Sequence, residues 1–441
     1  MSNINLEPYW LPFTSNRYFK HHPKMVVSAK GAYYRTEDGR ELFDCLSGMW
    51  CCPLGHAHPK IVETFTRQAQ TLDYSPAFQV GNPVTFRLAE RIADMAPAGL
   101  DHVFFANSGS EAVDTALKIA LAYHRVRGEA SRFRMIGRER AYHGVGFGGI
   151  SVGGMVANRK AFATAMLPGA DHLPHTWNLS QMAFSRGQPT WGLHLADELE
   201  RIVALHDAST IAAVIVEPVQ GSTGVLVPPV GYLERLREIC TKHGILLIFD
   251  EVITGFGRLG ANFGAQRFGV VPDMITFAKG VTNGTIPLGG VIVRHDIYER
   301  FMEPMAPEYA VELFHGYTYS GHPMAAAIGL ATLDIYEQEG MFQRARELEP
   351  VLEAALHTLK GEPGVIDVRN FGLTAGVDLE SFAGQPGRRA FKVFEHGFAH
   401  DQLFRFTADT IAMGPPFIST ISEIERMVEQ LRVAIRAVKP D

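Results

Sequence analysis

Cysteine is scarce in this 441-residue chain, which contains only Cys45, Cys51, Cys52 and Cys240. Four cysteines are too few for a disulfide framework in a chain of this length. Adjacent Cys51 and Cys52 also lack the C-x2-C spacing of a zinc site, so we expect reduced structural thiols. The segment Met1 to Trp10 has no basic-then-apolar signal pattern, and no apolar run approaches the length of a membrane span. These absences predict a soluble, cytoplasmic protein.

Long runs of one charge sign are also lacking. The 41 basic and 47 acidic residues give a net charge of −6. This balance argues against a nucleic-acid-binding surface as the main function. The 18 histidines form no H-E-x-x-H motif. Pairs such as His56/His58 and His172/His175 are typical of loops, so we predict no bound metal.

Short apolar runs alternate with helical stretches from about residue 60 onwards. The runs 211–216 and 245–249 are nearly all apolar, as is typical of strands that are buried on both faces of a parallel sheet. We therefore predict an α/β fold with a large domain at 60–320. A smaller α+β domain is expected from the two chain ends, 1–59 and 321–441. Helices are predicted at 110–127, 231–243, 324–337, 342–360 and 419–438.

Lys279 ends the strand-like run 273–278, and Asp250 ends the apolar run 245–249, 29 residues earlier. A lysine amine can bind an aldehyde cofactor covalently, and a carboxylate at the end of a buried strand can pair with the ring nitrogen of pyridoxal phosphate. Either residue alone is compatible with a solvated loop lysine or an ordinary strand end. The two together indicate a cofactor site.

The segment 107–112, Asn-Ser-Gly-Ser-Glu-Ala, lies between a predicted strand and a predicted helix. Small residues there expose backbone N–H groups, and the helix N-terminus adds a partial positive charge that suits a phosphate. A plain N-cap by Ser108 or Ser110 explains the same residues without an anion. The phosphate interpretation gains support because Lys279 and Asp250 by themselves provide no phosphate site.

Gly144 to Gly149 match G-x-G-x-x-G, and Asp171 lies roughly 20 residues further on, as in dinucleotide-binding proteins. That motif must directly follow a strand and open a helix. Here Tyr142 and His143 precede it, and residues 150–154 are a poor helix opening. A nicotinamide-dependent oxidoreductase therefore stays as an alternative, and a flexible loop beside a pocket is favoured. Tyr142 and His143 are candidates to stack on a planar cofactor ring, although His143 fits a packed loop position equally well.

Glu217 directly follows the apolar run 211–216 and precedes Pro218. Ligands in open α/β sheets bind at the carboxyl ends of the strands, where Glu217 would lie. Asp250 holds the equivalent position on its own strand. We therefore expect the two carboxylates to face one crevice.

Together, these residues resemble the class III (ω-amino acid) aminotransferases of PLP fold type I, the aspartate aminotransferase-like fold. The most specific part of the resemblance is Leu-Ile-Phe-Asp-Glu-Val-Ile-Thr-Gly-Phe-Gly-Arg at 247–258, continuing through Pro272-Asp273 to Ala278-Lys279-Gly280. Within the class, the chain looks most like the β-alanine:pyruvate (ω-amino acid:pyruvate) aminotransferases. Stretches that support this subgroup are 12–17, 47–50, 72–76, 171–176 and 315–320.

The resemblance implies roles for individual residues. Lys279 would bind the cofactor covalently, and its freed amine would move a proton between the substrate carbon and cofactor C4′. Asp250 would keep the pyridine nitrogen protonated, so that the ring acts as an electron sink. The remaining contacts that the resemblance implies are Gly109 and Ser110 at the phosphate, Tyr142 on the ring, His143, Glu217 and Val252 at the cofactor, Thr318 reaching the phosphate from the partner subunit, and Trp50 and Arg405 at the substrate.

The resemblance also implies pyridoxal 5′-phosphate as cofactor and a homodimer, alone or paired into a tetramer, with active sites at the subunit interface. The reaction would be ping-pong: an ω-amino acid or primary amine gives its nitrogen to the cofactor, leaving pyridoxamine phosphate, and pyruvate then leaves as alanine. Arg405 suits the substrate carboxylate because a guanidinium can bond both oxygens at once. In close relatives a glutamine lies seven residues after this arginine, where this chain has Ala412, a smaller wall expected to admit bulkier amines.

Two other activities fit parts of the same pattern. A PLP isomerase of the glutamate-semialdehyde aminomutase type uses the same lysine and aspartate. A non-catalytic dimeric scaffold would keep the fold alone. The scaffold is disfavoured because it needs none of Lys279, Asp250, Ser110 and Arg405, which are all present.

Overall fold

The computed structural model describes residues 4–304 and 307–440. Residues 1–3 and 441 lie outside the described residues. The predicted small domain, and the N-terminal segment that lacks a signal pattern, both include residues 1–3. The first sheet starts as an antiparallel meander near the N-terminus. Its strands are β1 (Val26–Lys30), β2 (Tyr33–Thr36) and β3 (Glu41–Asp44).

The central sheet has the strand order β4-β10-β9-β8-β7-β5-β6. These strands are β4 (Leu100–Ala106), β5 (Arg134–Arg138), β6 (Ala170–Leu173), β7 (Ile211–Val216), β8 (Leu246–Asp250), β9 (Met274–Phe277) and β10 (Gly289–Arg294). The strands from β9 to β6 run parallel, and β10 runs antiparallel to both of its neighbours. The predicted α/β fold with a mainly parallel sheet is confirmed.

A third, antiparallel sheet has the order β11-β12-β15-β14. Its strands, together with β13, which pairs in parallel with β3 of the first sheet, are β11 (Val365–Phe371), β12 (Thr374–Leu379), β13 (Gln402–Leu403), β14 (Arg405–Thr407) and β15 (Thr410–Met413). Through β13, the C-terminal part of the chain completes a sheet that the N-terminal part began.

Helices cover the central sheet and pack beside the third sheet. Their bounds are Asn16–His21, Pro59–Thr71, Pro83–Met95, Gly109–Val126, Phe147–Val152, Val156–Ala161, Leu179–Met182, Glu198–His206, Tyr232–His243, Gly264–Phe268, His295–Met302, Pro323–Gln338, Met341–His357, Arg388–Ala399 and Ile421–Ala437. In the parts of the chain that the structure describes, no helix combines the length and the apolar character that crossing a membrane requires.

Local chemistry explains where several helices begin. Proline, whose missing N–H costs nothing in the first turn, opens Pro59–Thr71, Pro83–Met95 and Pro323–Gln338. Ser108 caps Gly109–Val126 by accepting from the Glu111 N–H. The helix predicted at 110–127 is therefore present with nearly the expected bounds.

The register of the central strands brings their carboxyl ends to one level. Val216 of β7 pairs with Phe249 of β8, and Asp250 pairs with Thr276 of β9. Every residue of β7, β8 and β9 is buried, as their apolar sequences predicted. The residues that follow these strands, Glu217 and Lys279, therefore enter the same region as Asp250.

Arg369 joins the third sheet to the loop after β7. Its guanidinium donates to both carboxylate oxygens of Asp378 at 2.9 and 2.8 Å and to Asp367 at 2.6 Å. The same group donates to the carbonyl oxygens of Gly224 and Val225, each at 3.0 Å from Nε. Because the guanidinium bonds both carboxylates and both carbonyls, its charge is compensated although it is buried.

Replacing this arginine tests how much the junction stabilises the protein. Arg369→Ala leaves two buried carboxylates without a cation, which costs about 3–5 kcal/mol. We expect a clearly lower urea midpoint. The control is Arg186→Ala, because the ion pair of Arg186 with Glu353 leaves the arginine side chain 57% exposed and surface pairs contribute roughly 0–1 kcal/mol. Equal midpoints for the two variants would contradict the assignment.

Candidate active site

Lys279 follows β9 and begins a 3-10 turn, Lys279–Thr282. Its backbone φ is 52°, in the left-handed region, where a residue other than glycine costs about 1–2 kcal/mol. Burial lowers the pKa of its amine. In the described chain, no hydrogen bond or ion pair engages Nζ, which lies 5.8 Å from the centre of the Trp50 ring. A strained, desolvated amine of this kind suits nucleophilic chemistry.

Asp250 ends β8 and is buried with partners for its carboxylate. His143 Nδ1 lies 2.7 Å from Oδ2, and the Val252 N–H and the Thr276 hydroxyl each donate to Oδ1 at 3.2 Å. His143 Nε2 is buried without a partner in the described chain. The structure therefore makes His143 the partner of Asp250, a contact that the sequence analysis did not predict.

Glu217 faces the same crevice as Asp250, as predicted. Its carboxylate accepts from the Tyr142 N–H at 3.0 Å and from the Gly221 N–H at 3.1 Å. Burial, helped by the Asp250 charge, raises the pKa of Glu217 to about 7. Burial also raises the pKa of the Tyr142 hydroxyl. Glu217 thus holds in place the backbone of the residue expected to stack on the cofactor.

The start of helix Gly109–Val126 distinguishes the two serines considered as caps. Ser108 is the cap, and the Ser110 hydroxyl instead accepts from the Val145 N–H at 3.1 Å. A Cβ built on Gly109 would lie 2.8 Å from Cγ1 of Val252, so only glycine allows this close approach. Gly109, Ser110 and Val252 are therefore neighbours, as a shared cofactor site requires.

The glycine-rich segment 144–149 packs on that helix. A Cβ on Gly144 would lie 2.4 Å from the Ser110 hydroxyl, and one on Gly146 would lie 2.2 Å from the Asp114 carboxylate. These close approaches explain the glycines without a dinucleotide. The expected poor helix opening was wrong, because Gly146 caps a short helix, Phe147–Val152. The motif nevertheless begins six residues after β5 ends, which removes the strand-to-glycine junction that the oxidoreductase alternative needs.

Arg405 begins β14 and, like Lys279, lies close to the Trp50 ring. Its guanidinium carbon is 5.6 Å from the centre of the Trp50 ring, and its Nη1 is 2.9 Å from Met49 Sδ. Arg405 has no carboxylate partner within the described residues, and burial lowers its pKa. Ala412, which pairs directly with Arg405 across β14 and β15, packs in a cluster with Trp50.

Thr318 lies apart from this cluster. It is exposed, and its carbonyl oxygen accepts from the Tyr74 hydroxyl at 3.2 Å. The neighbouring Tyr317 hydroxyl contacts the first turn of helix Gly109–Val126 through the Glu111 carbonyl oxygen at 3.3 Å. The chain thus brings the other predicted site residues together and leaves Thr318 at its surface.

The sequence analysis missed three residues of this site, Thr276, Met49 and Asp44. Thr276 bonds Asp250, and the register between β8 and β9 was the only available signal for it. Met49 contacts Arg405, and Asp44 bonds the loop that carries Trp50. No short motif in the sequence marks the last two.

The arrangement fits pyridoxal phosphate. Lys279 supplies an amine with a lowered pKa for the aldehyde, and Asp250 supplies a compensated carboxylate for the ring nitrogen. The N-terminus of helix Gly109–Val126 supplies backbone N–H groups for an anion. The unpartnered, buried Nε2 of His143 is a further polar atom available to a ligand.

The pKa of Glu217 predicts a pH dependence of stability. Its value of about 7 in the folded protein exceeds the ordinary 4.5, so the folded state keeps a proton that the unfolded state releases. Stability therefore falls as the pH rises from 4.5 to 7, by roughly 3 kcal/mol for this group. Glu217→Gln removes the contribution of Glu217 to this loss of stability. The test compares the free energies of unfolding in urea at pH 5 and pH 8.

Glu251 provides the internal reference for this comparison. Burial raises its pKa to about 7 as well, and it remains in both proteins, so the difference between them reports Glu217 alone. Parallel pH profiles for the two proteins would contradict the assignment.

Comparison with known proteins agrees with this geometry. The family model for class III aminotransferases matches residues 14–435. An omega-aminotransferase from Caulobacter vibrioides is 57% identical over 97% of both chains, and a beta-alanine–pyruvate aminotransferase from Pseudomonas aeruginosa is 49% identical over 99% of this chain and 97% of the relative. The crystal structure of an (S)-enantioselective omega-transaminase from Thermomicrobium roseum superposes with a TM-score of 0.90 at 33% identity, covering 98% of this chain and 96% of the other. The chain belongs to the class III aminotransferase family.

Proposed function

We propose that the protein is a pyridoxal-phosphate-dependent ω-amino acid:pyruvate aminotransferase. It moves the amino group of an ω-amino acid or a primary amine to pyruvate, releasing alanine and an aldehyde, ketone or oxo acid. The observation that carries the proposal is one tryptophan ring that both a lysine amine and an arginine guanidinium approach. Lys279 Nζ lies 5.8 Å from the centre of the Trp50 ring, and the Arg405 guanidinium carbon lies 5.6 Å from it. The names of relatives at 49% and 57% identity support the same reaction.

The chain's own groups divide the chemistry among them. Pyridoxal phosphate, when bound, supplies an aldehyde that takes up the amino group and a ring that delocalises the electrons released at the reacting carbon. Lys279 holds the aldehyde and, once freed, moves a proton between the substrate carbon and C4′. Asp250 would keep the ring nitrogen protonated, and His143 and Thr276 orient the Asp250 carboxylate by bonding both of its oxygens.

The remaining predicted cofactor contacts line the same crevice. Gly109 and Ser110 would bind the phosphate at the N-terminus of their helix, where the partial positive charge favours an anion. Val252 would contact the cofactor, and Tyr142 would stack on its ring. Glu217 supports this stack by accepting from the Tyr142 N–H.

Arg405 selects the substrate carboxylate. No carboxylate among the described residues pairs with its guanidinium, so the N–H groups of the guanidinium are available to an incoming anion. Met49 and Trp50 lie beside it. A guanidinium in such a site bonds both oxygens of pyruvate or of an ω-amino acid.

The working form is a homodimer, on its own or paired into a tetramer, in which Thr318 reaches the phosphate of the partner subunit. The exposure of Thr318 supports this arrangement, as do large apolar side chains left at the surface near it and elsewhere. These side chains are Phe78 (55% exposed), Phe86 (72%), Tyr309 (91%), Phe314 (90%) and Tyr319 (58%).

The division into a large domain at 60–320 and a small domain from 1–59 and 321–441 is part of the same proposal. The pairing of β13 with β3 supports a small domain drawn from both chain ends. A cytoplasmic location is supported by the free thiols of Cys45, Cys51, Cys52 and Cys240.

Alanine formation tests the reaction directly. The purified holoenzyme is incubated with pyruvate and a panel of donors (β-alanine, other ω-amino acids and carboxylate-free amines), and alanine is quantified. We expect alanine with at least one ω-amino acid, and we expect Lys279→Ala to lose both turnover and the visible cofactor absorbance. Asp38→Asn, an exposed surface change, serves as the control. An absence of alanine with every donor would contradict an aminotransferase and favour an isomerase.

Arg405→Ala tests the carboxylate site. Losing a charged, forked hydrogen-bonding group should raise the KM for pyruvate roughly 10- to 100-fold, because bonds to charged groups contribute about 1.5–3 kcal/mol. The KM for a carboxylate-free amine should change less than about threefold. Arg405→Lys keeps the charge without the fork and should fall between these values. Equal effects on both substrates would move the carboxylate site elsewhere.

A further inference from the structure

Residues 47–50 form one turn of left-handed helix. The φ angles of Ser47, Gly48, Met49 and Trp50 are 49°, 54°, 69° and 61°. The Trp50 N–H donates to the Leu46 carbonyl oxygen at 2.7 Å, closing the turn. Only one of the four residues is glycine, and L-residues resist this conformation. Contacts from outside the turn must therefore hold it.

Asp44 supplies the contacts on one side. Its Oδ1 accepts from the Leu46 N–H at 3.1 Å, and its Oδ2 accepts from the Gly48 N–H at 2.6 Å. His56 Nε2 lies 2.9 Å from the same Oδ2. The Asp44 carboxylate is 1% exposed, so these bonds form away from competing water.

Gly414 supplies the contacts on the other side. The Ser47 hydroxyl donates to the Gly414 carbonyl oxygen at 2.6 Å, and the Gly414 N–H donates to the Cys45 carbonyl oxygen at 2.8 Å. A Cβ built on Gly414 would lie 2.5 Å from Trp50 Nε1. The left-handed turn is thus clamped between a carboxylate and a glycine that directly touches the indole.

The side chains of Met49 and Trp50, the last two residues of the turn, lie close to the groups proposed to act on the substrate. The Trp50 ring lies near both Lys279 and Arg405, and Met49 Sδ is 2.9 Å from Arg405 Nη1. The position of Arg405 relative to the amine therefore depends on a backbone conformation that would relax without its clamp.

We propose that Asp44 is a positioning residue that sets the preference of the enzyme for carboxylate-bearing substrates over bulky amines. By holding the left-handed turn, it fixes Met49 and Trp50 against Arg405, which keeps the guanidinium in place for a carboxylate and the indole in place against a large side group. This inference rests on the proposed function, because it takes Arg405 as the carboxylate-binding group.

The test is Asp44→Asn in the holoenzyme. The change keeps the shape of the side chain but replaces one of its two accepting oxygens with an NH2 group, so the side chain can no longer accept from both the Leu46 and the Gly48 N–H. We expect the KM values for β-alanine and pyruvate to rise roughly tenfold with kcat within about twofold. We expect the KM for 1-phenylethylamine to stay constant or fall. A uniform effect on all three substrates, or none, would overturn the proposal.

A second variant and a control keep the test independent of misfolding. The methyl group of Gly414→Ala pushes on the Trp50 indole. It should raise the KM for β-alanine relative to the KM for 1-phenylethylamine, as Asp44→Asn does. The melting temperature of the variant reports whether it is folded. Asp38→Asn, in the exposed turn between β2 and β3, should change neither quantity. A Gly414→Ala protein that melts normally with an unchanged ratio would count against the clamp.

A double-mutant cycle shows whether Asp44 acts through Trp50. In a Trp50→Ala background, Asp44→Asn should no longer change the ratio of kcat/KM for β-alanine to that for 1-phenylethylamine. A full effect in that background would overturn the positioning role. Failure of the proposed function is separately visible, because the unsubstituted enzyme would then form no alanine from any donor.

Discussion

The charge of Asp250 must be compensated inside the protein, and the segments that compensate it form the site. His143 comes from the loop after β5, Thr276 from β9 and the Val252 N–H from the turn after β8. An unpaired carboxylate at this depth would cost several kcal/mol or take up a proton. Bonding it therefore joins three parts of the chain that are far apart in sequence, and the cofactor crevice lies where they meet.

The neighbouring Glu251 shows that two adjacent carboxylates at the end of a strand can have separate partners. Adjacent residues of an extended chain point to opposite sides, so Glu251 turns away from His143 and accepts from the N–H groups of Gly264 and Ala265, the latter at 2.8 Å. Burial raises its pKa to about 7. One carboxylate of the pair faces the crevice, and the other secures the loop that leads back to β9.

The central strands and the proximity of Lys279 to Asp250 were accessible from sequence, because short apolar runs are typical of strands buried on both faces and parallel strands present their ends together. The clamp was not accessible. Ser-Gly-Met-Trp contains one residue that favours positive φ, and Ser47 bonds Gly414, which is 367 positions away. The contact of His143 with Asp250 was equally hidden, since it depends on how a loop folds over β8. Contacts made by irregular backbone carry no periodic signal.

Gly109 leaves no room for a methyl group between its helix and Val252, where a Cβ would lie 2.8 Å from Cγ1. The first turn of the helix and the Val252 side chain are consequently held at a fixed distance. In the proposed cofactor site, one end of this contact would receive the phosphate and the other would contact the rest of the cofactor. Any substitution that adds a side chain at residue 109 would therefore move the two contacts apart.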